Sequence, residues 1–456
     1  MARRVLLLVT AGFHVFFTAG VVFGWASLAD ALAADGALCY NEHCTGQAAA
    51  FALIFTLGTI GNYTSNLPFG LVLDRFGPQI CCICGALVQT SGGLLMLARG
   101  ALGDEVLYPG FFLLGFGGPG IQIATFHLAN LFPEVSGSLI AGSTALFDAG
   151  TAVFFAFSLA SASGVASLAT CWAVYVGGCL LVLVSGALLW PPLPYAAEAG
   201  PQATPGSSVN SQDLWDSATP RPLPQSAPLK AMLTSRPFIY LVLFACVHIL
   251  RLNFVVGTFQ QQAAALGFDA PSVLKYTNLF ASLLPFGFVG MPLIGFLLDR
   301  RPLSHVFALV NLTGLACTAL LMVPASPAAF VGAIALVAVG RQFVYSTFFA
   351  QLQRTAGPNY GTLAGIANLC VAAAGAAQPA LVQASMGTQH FVPTNGLFLL
   401  LVVALLSQPL PFWEAPPAEQ RDEKSAALLA AVHPEPPAGE RGAPLSTLRV
   451  ALIEKS

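Results

Sequence analysis

Six ionisable side chains stand inside long apolar runs of this sequence: His14, His127, Asp148, His248, Arg251 and Arg341. An ionisable group deep in an apolar helix costs several kcal/mol, so each is expected to face a cavity or a partner. Arg341 keeps its proton and presents five N–H donors in a planar fork. Such a fork binds a carboxylate or a ring carbonyl of a small molecule, or it forms a structural ion pair. Asp148, the only acidic residue deep within such a run, has the complementary chemistry. It can hold an ammonium, accept ring N–H groups or carry a proton; its alternatives are an ion pair with Arg341 and the capping of a neighbouring helix. Arg251 either lines a cavity or snorkels toward an interface, and snorkelling is the simpler reading. The three histidines can titrate near neutral pH, but a lone His on an apolar helix is more often a packing residue. A second tier is uncharged. Asn62, Asn130, Gln260, Gln261, Asn278 and Tyr345 can hydrogen-bond a small molecule, and Trp25 offers a flat face to an aromatic one. Polar groups of this kind also serve as glue between helices.

The elements that position these residues follow from composition. The chain has 456 residues, of which 56% are hydrophobic and only 8% charged. An ordinary soluble domain is ~25% charged. This chain has too little charge to cover a soluble surface and far too much apolar content to stay disordered. A polytopic membrane protein remains. The net charge of -2 gives no basic field, so no nucleic-acid partner is expected. The partner expected from composition is the lipid bilayer, and the buried polar residues leave room for a small-molecule solute as a second.

A helix needs ~20 largely apolar residues to cross a bilayer, and helices satisfy their own backbone groups there. Twelve spans are readable: 5–31, 48–72, 78–99, 106–132, 136–162, 165–191, 237–265, 272–298, 304–324, 328–353, 359–384 and 393–413. The fold is therefore all-α, with six spans in 1–191 and six in 236–414. Segment 192–235, rich in Pro, Ser, Ala and Gln, reads as a flexible linker, and 415–456, with charge and prolines, reads as a tail. The first span follows Met1-Ala-Arg-Arg4 and is long enough to be an uncleaved helix rather than a signal peptide. With the N-terminus inside, 14 of the 18 Lys and Arg fall on the cytoplasmic side. Arg99 and Lys275 fall opposite, and Arg251 and Arg341 lie within spans. This bias places both termini, the linker and the tail in the cytoplasm.

Cys39 and Cys44 lie in the first outside loop, where an oxidising compartment favours a disulfide over two free thiols. The sequons at Asn62 and Asn311 fall inside spans and should not be glycosylated. The run Gly115-Phe-Gly-Gly-Pro-Gly120 suggests close helix packing, or a locally unwound helix. Pro68, Pro285 and Pro292 suggest kinks.

A repeat carries a mechanism. Gly70-Leu-Val-Leu-Asp74-Arg75-Phe-Gly77 follows the second span, and Gly295-Phe-Leu-Leu-Asp299-Arg300-Arg301 follows the eighth. Both read G-x-x-x-D-R at the cytoplasmic end of the second helix of a six-helix half. This argues for duplicated halves related by an axis along the membrane normal. Each Asp lies at the cytoplasmic face, the face on which the eleventh and fifth spans begin near Asn359 and Ser136, and a carboxylate near a helix N-terminus is stabilised. Such a pair can latch the halves together as a gate.

These loops resemble the signature of the major facilitator superfamily, G-x-L-A-D-R-x-G-R-K. Pro78 and Gln79 replace its basic pair, and Pro302 replaces the second-half glycine. Further runs resemble solute carrier family 43: Gly20-Val-Val-Phe-Gly-Trp25, Leu53-Ile-Phe-Thr-Leu-Gly58, Asn130-Leu-Phe132, Phe147-Asp148, Tyr276-Thr-Asn278, Leu297-Leu-Asp-Arg300 and Arg341-Gln-Phe-Val-Tyr345. That family comprises system-L-type facilitators of large neutral amino acids and an equilibrative purine-nucleobase transporter. The resemblance implies two pseudo-symmetric six-helix bundles and a site near the midplane, lined by the first, fourth, seventh and tenth spans. It implies alternating access without a cofactor. Facilitative uniport of large neutral amino acids is expected, with purine nucleobases or proton-coupled symport as alternatives. The substrate-binding set is then Arg341, Asp148, Trp25, Asn62, Asn130, Gln260, Asn278 and Tyr345. The gating set is Gly70, Asp74, Arg75, Gly77, Gly295, Asp299 and Arg300. No catalytic or metal-binding constellation is read, so an enzyme is not expected. A monomer suffices. The plasma membrane is the expected location and an internal membrane the alternative.

Overall fold

A computed structural model describes residues 2–39, 44, 46–195, 228–388 and 390–407. Most of the linker and the whole tail lie outside the described residues. All regular structure in the described part is helical. We label the principal helices α1 (Ala2–His14), α2 (Trp25–Ala34), α3 (Gln47–Leu97), α4 (Leu107–Ile123), α5 (Ser136–Ala149), α6 (Ala152–Ala162), α7 (Leu168–Leu189), α8 (Arg236–Ala265), α9 (Ala270–Leu283), α10 (Met291–Arg300), α11 (Leu303–Leu320), α12 (Pro327–Thr355), α13 (Tyr360–Gly375), α14 (Gln378–Thr388) and α15 (Val392–Leu406). Among the described residues, 8 helices are long and apolar enough to cross a membrane, or 9 if the bent pair Arg3–Ala19 and Val21–Ala34 is one span.

The differences from the expected spans have local causes. The second and third spans run together in α3 because Pro78 continues directly from Gly77, which alone there leaves helical geometry (φ 83°, ψ 175°). That left-handed φ suits glycine, and a Cβ at this position would lie 1.9 Å from the Pro192 carbonyl oxygen. Gly77 thus turns the chain where the end of the sixth span crosses it. The first span is not one straight helix. It passes through a π-turn at Val15–Ala19 and a 3₁₀ turn at Val21–Gly24. Gly20, at the break, packs on the fifth span so closely that a Cβ would meet the Phe147 carbonyl oxygen at 1.7 Å.

The eighth span is α9 and α10 joined by a 3₁₀ segment, Leu284–Gly290. Pro285 and Pro292 stand at the starts of that segment and of α10. There their missing N–H groups cost little, so they divide the span rather than kink it. Pro68 lies inside α3, whose only non-helical residue is Gly77. The fifth and eleventh spans break at Gly150–Thr151 and Ala376–Ala377. Side chains of Ser167, Ser235 and Ser326 cap α7, α8 and α12 by accepting the N–H of the residue three positions on.

The glycine run in α4 remains helical and serves close packing. A Cβ on Gly115 would lie 2.0 Å from the Gly58 carbonyl oxygen of α3. Gly115→Ala should therefore separate α3 from α4 and cost about 1–3 kcal/mol by overpacking. A thermal midpoint in detergent equal to that of the unaltered protein would count against this packing.

Candidate functional site

A cavity of about 390 Å³ lies between the helices of the first and second halves, within the range of small-molecule sites. Its charged lining residues are Arg341 of α12 and Asp148 of α5. They form an ion pair, Arg341 Nη2 to Asp148 Oδ1. Gln342 Nε2 donates to the other carboxylate oxygen, Oδ2. One turn earlier on α5, Thr144 Oγ1 meets Ser346 Oγ of α12 at 2.8 Å. Both carboxylate oxygens are therefore engaged from one helix of the opposite half. The Arg341 side chain stays 23% exposed, against 14% for Asp148, so part of the guanidinium faces the cavity.

The helical repeat explains the rest of the lining. Asn62 and Asn66 are one turn apart on α3, with Tyr63 beside them, and Arg341, Tyr345 and Phe349 form a stripe on α12 at four-residue spacing. Gln122, Asn253, Asn368 and Gln378 add amides from α4, α8, α13 and α14. Gln378 Nε2 donates to the Asn253 carbonyl oxygen at 3.2 Å. Phe23, Phe55, Phe147 and Phe349 supply aromatic surface.

Of the expected binding residues, Arg341, Asp148, Asn62 and Tyr345 meet at this cavity, and four others do not. Trp25 is 8% exposed and packs against Phe51 and Phe111, at ring-centroid distances of 5.7 and 4.6 Å. Its indole completes the core of the first half. Asn130 lies beyond the end of α4. It donates to the Tyr195 carbonyl oxygen at 2.7 Å and accepts from Gln353 Nε2 at 3.2 Å. Gln260 is exposed near the end of α8, and Asn278 is exposed on α9. Gln342, Tyr63, Asn66, Gln122, Asn253, Asn368 and Gln378 are lining residues that the sequence reading left out. Tyr63 and Gln342 adjoin residues already chosen and Asn66 stands four residues from Asn62, whereas Gln122, Asn253, Asn368 and Gln378 carried no such signal in the sequence.

The histidines have structural partners. His14 Nε2 lies 2.8 Å from Ser185 Oγ, His248 Nε2 lies 2.8 Å from Asn311 Oδ1, and His127 stacks on Tyr195. None of the three lines the cavity. Asn62 and Asn311 are buried, at 5% and 0% exposure. Cys39 and Cys44 are joined in a disulfide with Cα atoms 4.4 Å apart.

The repeated loops make matched contacts between the halves. Asp74 accepts the N–H groups of Gly361 and Thr362, at 2.7 and 2.6 Å, where α13 begins. Asp299 accepts from Gly137 N at 2.7 Å, from Ser138 N at 3.2 Å and from Ser138 Oγ at 2.5 Å, where α5 begins. Unpaired N–H groups and the helix dipole both favour a carboxylate at these places. The glycine four residues before each Asp lets the helices touch. A Cβ on Gly70 would lie 2.0 Å from the Gly361 carbonyl oxygen, and one on Gly295 would lie 2.5 Å from Ser138 Oγ. Arg75 and Arg300 are exposed; the Arg75 guanidinium lies over the Phe76 ring at 5.6 Å. Arg354 Nη2 donates to the Leu298 carbonyl oxygen at 2.6 Å beside the Asp299 contact.

Known proteins share this architecture. The chain is 26% identical over 415 residues to Protein FMP42 of Saccharomyces cerevisiae, covering 77% of this chain and 82% of that protein. It is 27% identical over 340 residues to Equilibrative nucleobase transporter 1 of Bos taurus, covering 67% and 69%. Over a shorter stretch, 210 residues, it is 27% identical to Large neutral amino acids transporter small subunit 3 of Homo sapiens, covering 41% of this chain and 37% of that protein. These names include both solute classes implied by the resemblance to solute carrier family 43. The crystal structure of the transporter FucP in the outward conformation superposes with a TM-score of 0.61 at 16% identity, covering 90% of this chain and 98% of that one. The family model described as Major Facilitator Superfamily matches residues 5–379. This chain, a multi-pass membrane transporter of small solutes, belongs to the major facilitator superfamily.

Proposed function

We propose that the protein is a facilitative uniporter of large neutral amino acids. The observation that carries this reading is the Arg341–Asp148 ion pair at the wall of a cavity whose other lining residues are mostly amide and aromatic. In the empty carrier each charge neutralises the other. A zwitterion can replace both contacts at once, its carboxylate on Arg341 and its ammonium against Asp148, leaving no buried charge unpaired. The apolar side chain then lies among Phe23, Phe55, Phe147 and Phe349.

The reading includes two six-helix halves, 1–191 and 236–414, that rock about the cavity, a cytoplasmic linker at 192–235 and a cytoplasmic tail at 415–456. Asp74 and Asp299 latch the cytoplasmic face. Along α3 the cavity residues Phe55, Asn62 and Asn66 lie between the disulfide loop and Asp74, and the reading takes the latched face as the closed one. The protein works as a monomer in the plasma membrane.

A purine nucleobase is the second reading, and one observation favours it. Both oxygens of Asp148 are already occupied, by Arg341 and Gln342, whereas the surrounding amides can pair with a neutral ring. Uptake into vesicles containing the purified protein separates the two. Leucine, phenylalanine, adenine and guanine are compared with and without an inward proton gradient. Saturable leucine or phenylalanine uptake that ignores the gradient is the expected result. Purine uptake alone transfers the assignment to nucleobases, gradient-driven uptake transfers it to symport, and entry of none of the four removes both solute classes.

A further inference from the structure

A second buried cation lies away from the cavity. Arg251 of α8 is 2% exposed and is not among the cavity-lining residues, although Leu252 and Asn253 beside it are. It turns toward α11, where a Cβ on Gly314 would lie 3.5 Å from its Nη2. Its Nε and Nη1 hydrogens have no acceptor among the described residues. The sulfur of Cys317 is in hydrogen-bond contact with the guanidinium, but a thiol is a weak acceptor.

The helices around Arg251 cannot supply a carboxylate. Neither α8, α11, α12 nor α15 contains Asp or Glu. The neighbouring polar groups are committed in one direction. Tyr240 donates its hydroxyl hydrogen to the Leu405 carbonyl oxygen at 3.3 Å and accepts from Asn311 Nδ2 at 3.0 Å. Asn311 Oδ1 is then the acceptor facing His248 Nε2 at 2.8 Å, so that nitrogen carries the ring's proton. His248 is therefore neutral, and its Nδ1, which has no partner among the described residues, offers Arg251 a lone pair but no compensating charge. A guanidinium does not give up its proton, and an unpaired charge in a low-dielectric interior is strongly destabilising.

We propose that Arg251 binds a monovalent halide, chloride in the cell, between α8 and α11. The enclosure selects the class. The site is closed to a lipid phosphate by its burial and to a transported carboxylate by its separation from the cavity lining. A halide needs only donors, and Arg251 has two to give. The anion neutralises the charge that the surrounding helices leave uncompensated, and its function is to hold the second half together.

The test uses the purified full chain in detergent, with its thermal midpoint measured in sodium chloride, sodium bromide and sodium gluconate at equal ionic strength. The halides should raise the midpoint above gluconate by about 3 °C or more. Arg251→Met should abolish the difference and Arg251→Lys should keep it. No halide effect on the unaltered protein, or an equal effect on Arg251→Met, overturns the proposal. If Arg251→Met fails to fold, bromide-soaked crystals of the unaltered protein decide. An anomalous peak within hydrogen-bond distance of Arg251 Nε or Nη1 supports the site, and peaks only elsewhere overturn it.

Discussion

Arg341→Met should abolish saturable uptake, and pairing it with Asp148→Asn should restore folding while leaving solute affinity far below that of the unaltered protein. The single substitution removes one member of a buried pair and leaves Asp148 as an uncompensated charge, a change that costs about 3–5 kcal/mol. Loss of activity in that variant alone would mix misfolding with loss of the site. The double variant removes both charges and keeps similar volume, and neutral replacement of a buried pair is often close to neutral for stability. It still has no guanidinium to meet a carboxylate. A hydrogen bond to a charged group contributes about 1.5–3 kcal/mol, so solute affinity should fall by roughly 10- to 150-fold. Size-exclusion behaviour and thermal midpoint report the folding, and vesicle uptake reports the site. Uptake by the double variant within about threefold of the unaltered protein would remove Arg341 from the binding machinery.

The second large effect is expected at the proposed latches, Asp74 and Asp299. Asp74→Asn and Asp299→Asn keep the shape of each side chain but lose its charge at a helix N-terminus. In partly buried geometry that charge contributes up to ~2 kcal/mol. Each substitution should shift the balance away from the closed face by about tenfold, and the two together by about a hundredfold if they act independently. Spin labels at the exposed positions Glu134 and Arg301, one in each half, would read the opening as a longer distance population. An unchanged distance distribution in the double variant would mean that packing at Gly70 and Gly295, not the carboxylates, holds that face.

Hydropathy located the spans because lipid exposure leaves its mark on every turn of a helix. The repeated G-x-x-x-D-R located the Asp74 and Asp299 contacts between the halves because one short motif carries both parts of the contact, the close approach and the charge. The breaks were less legible. Gly20 bends the first span because it meets Phe147 across the half, and nothing within the first span states that partner. The site was half legible for a similar reason. Arg341 and Asp148 advertise themselves by their charge in an apolar run. Trp25 and Asn130 are chemically just as suitable, yet one faces an aromatic core and the other lies past the end of its helix. Which face of a helix meets the cavity is a rotational fact, and a single polar residue does not fix it. Pairs spaced four apart, such as Asn62 with Asn66, do.

The neutrality of the Arg341–Asp148 pair has an electrical meaning. Moving one elementary charge through the whole membrane field changes the free energy by ~2.3 kcal/mol per 100 mV. The cavity carries one positive and one negative lining residue, so turning it over empty, or loaded with a zwitterion, moves no net charge through that field. The pair itself then gives the resting voltage no hold on the proposed cycle. On the proposed uniport, the direction of flow is left to the concentration of solute on either side, and a solute bearing net charge would be the one to feel the voltage.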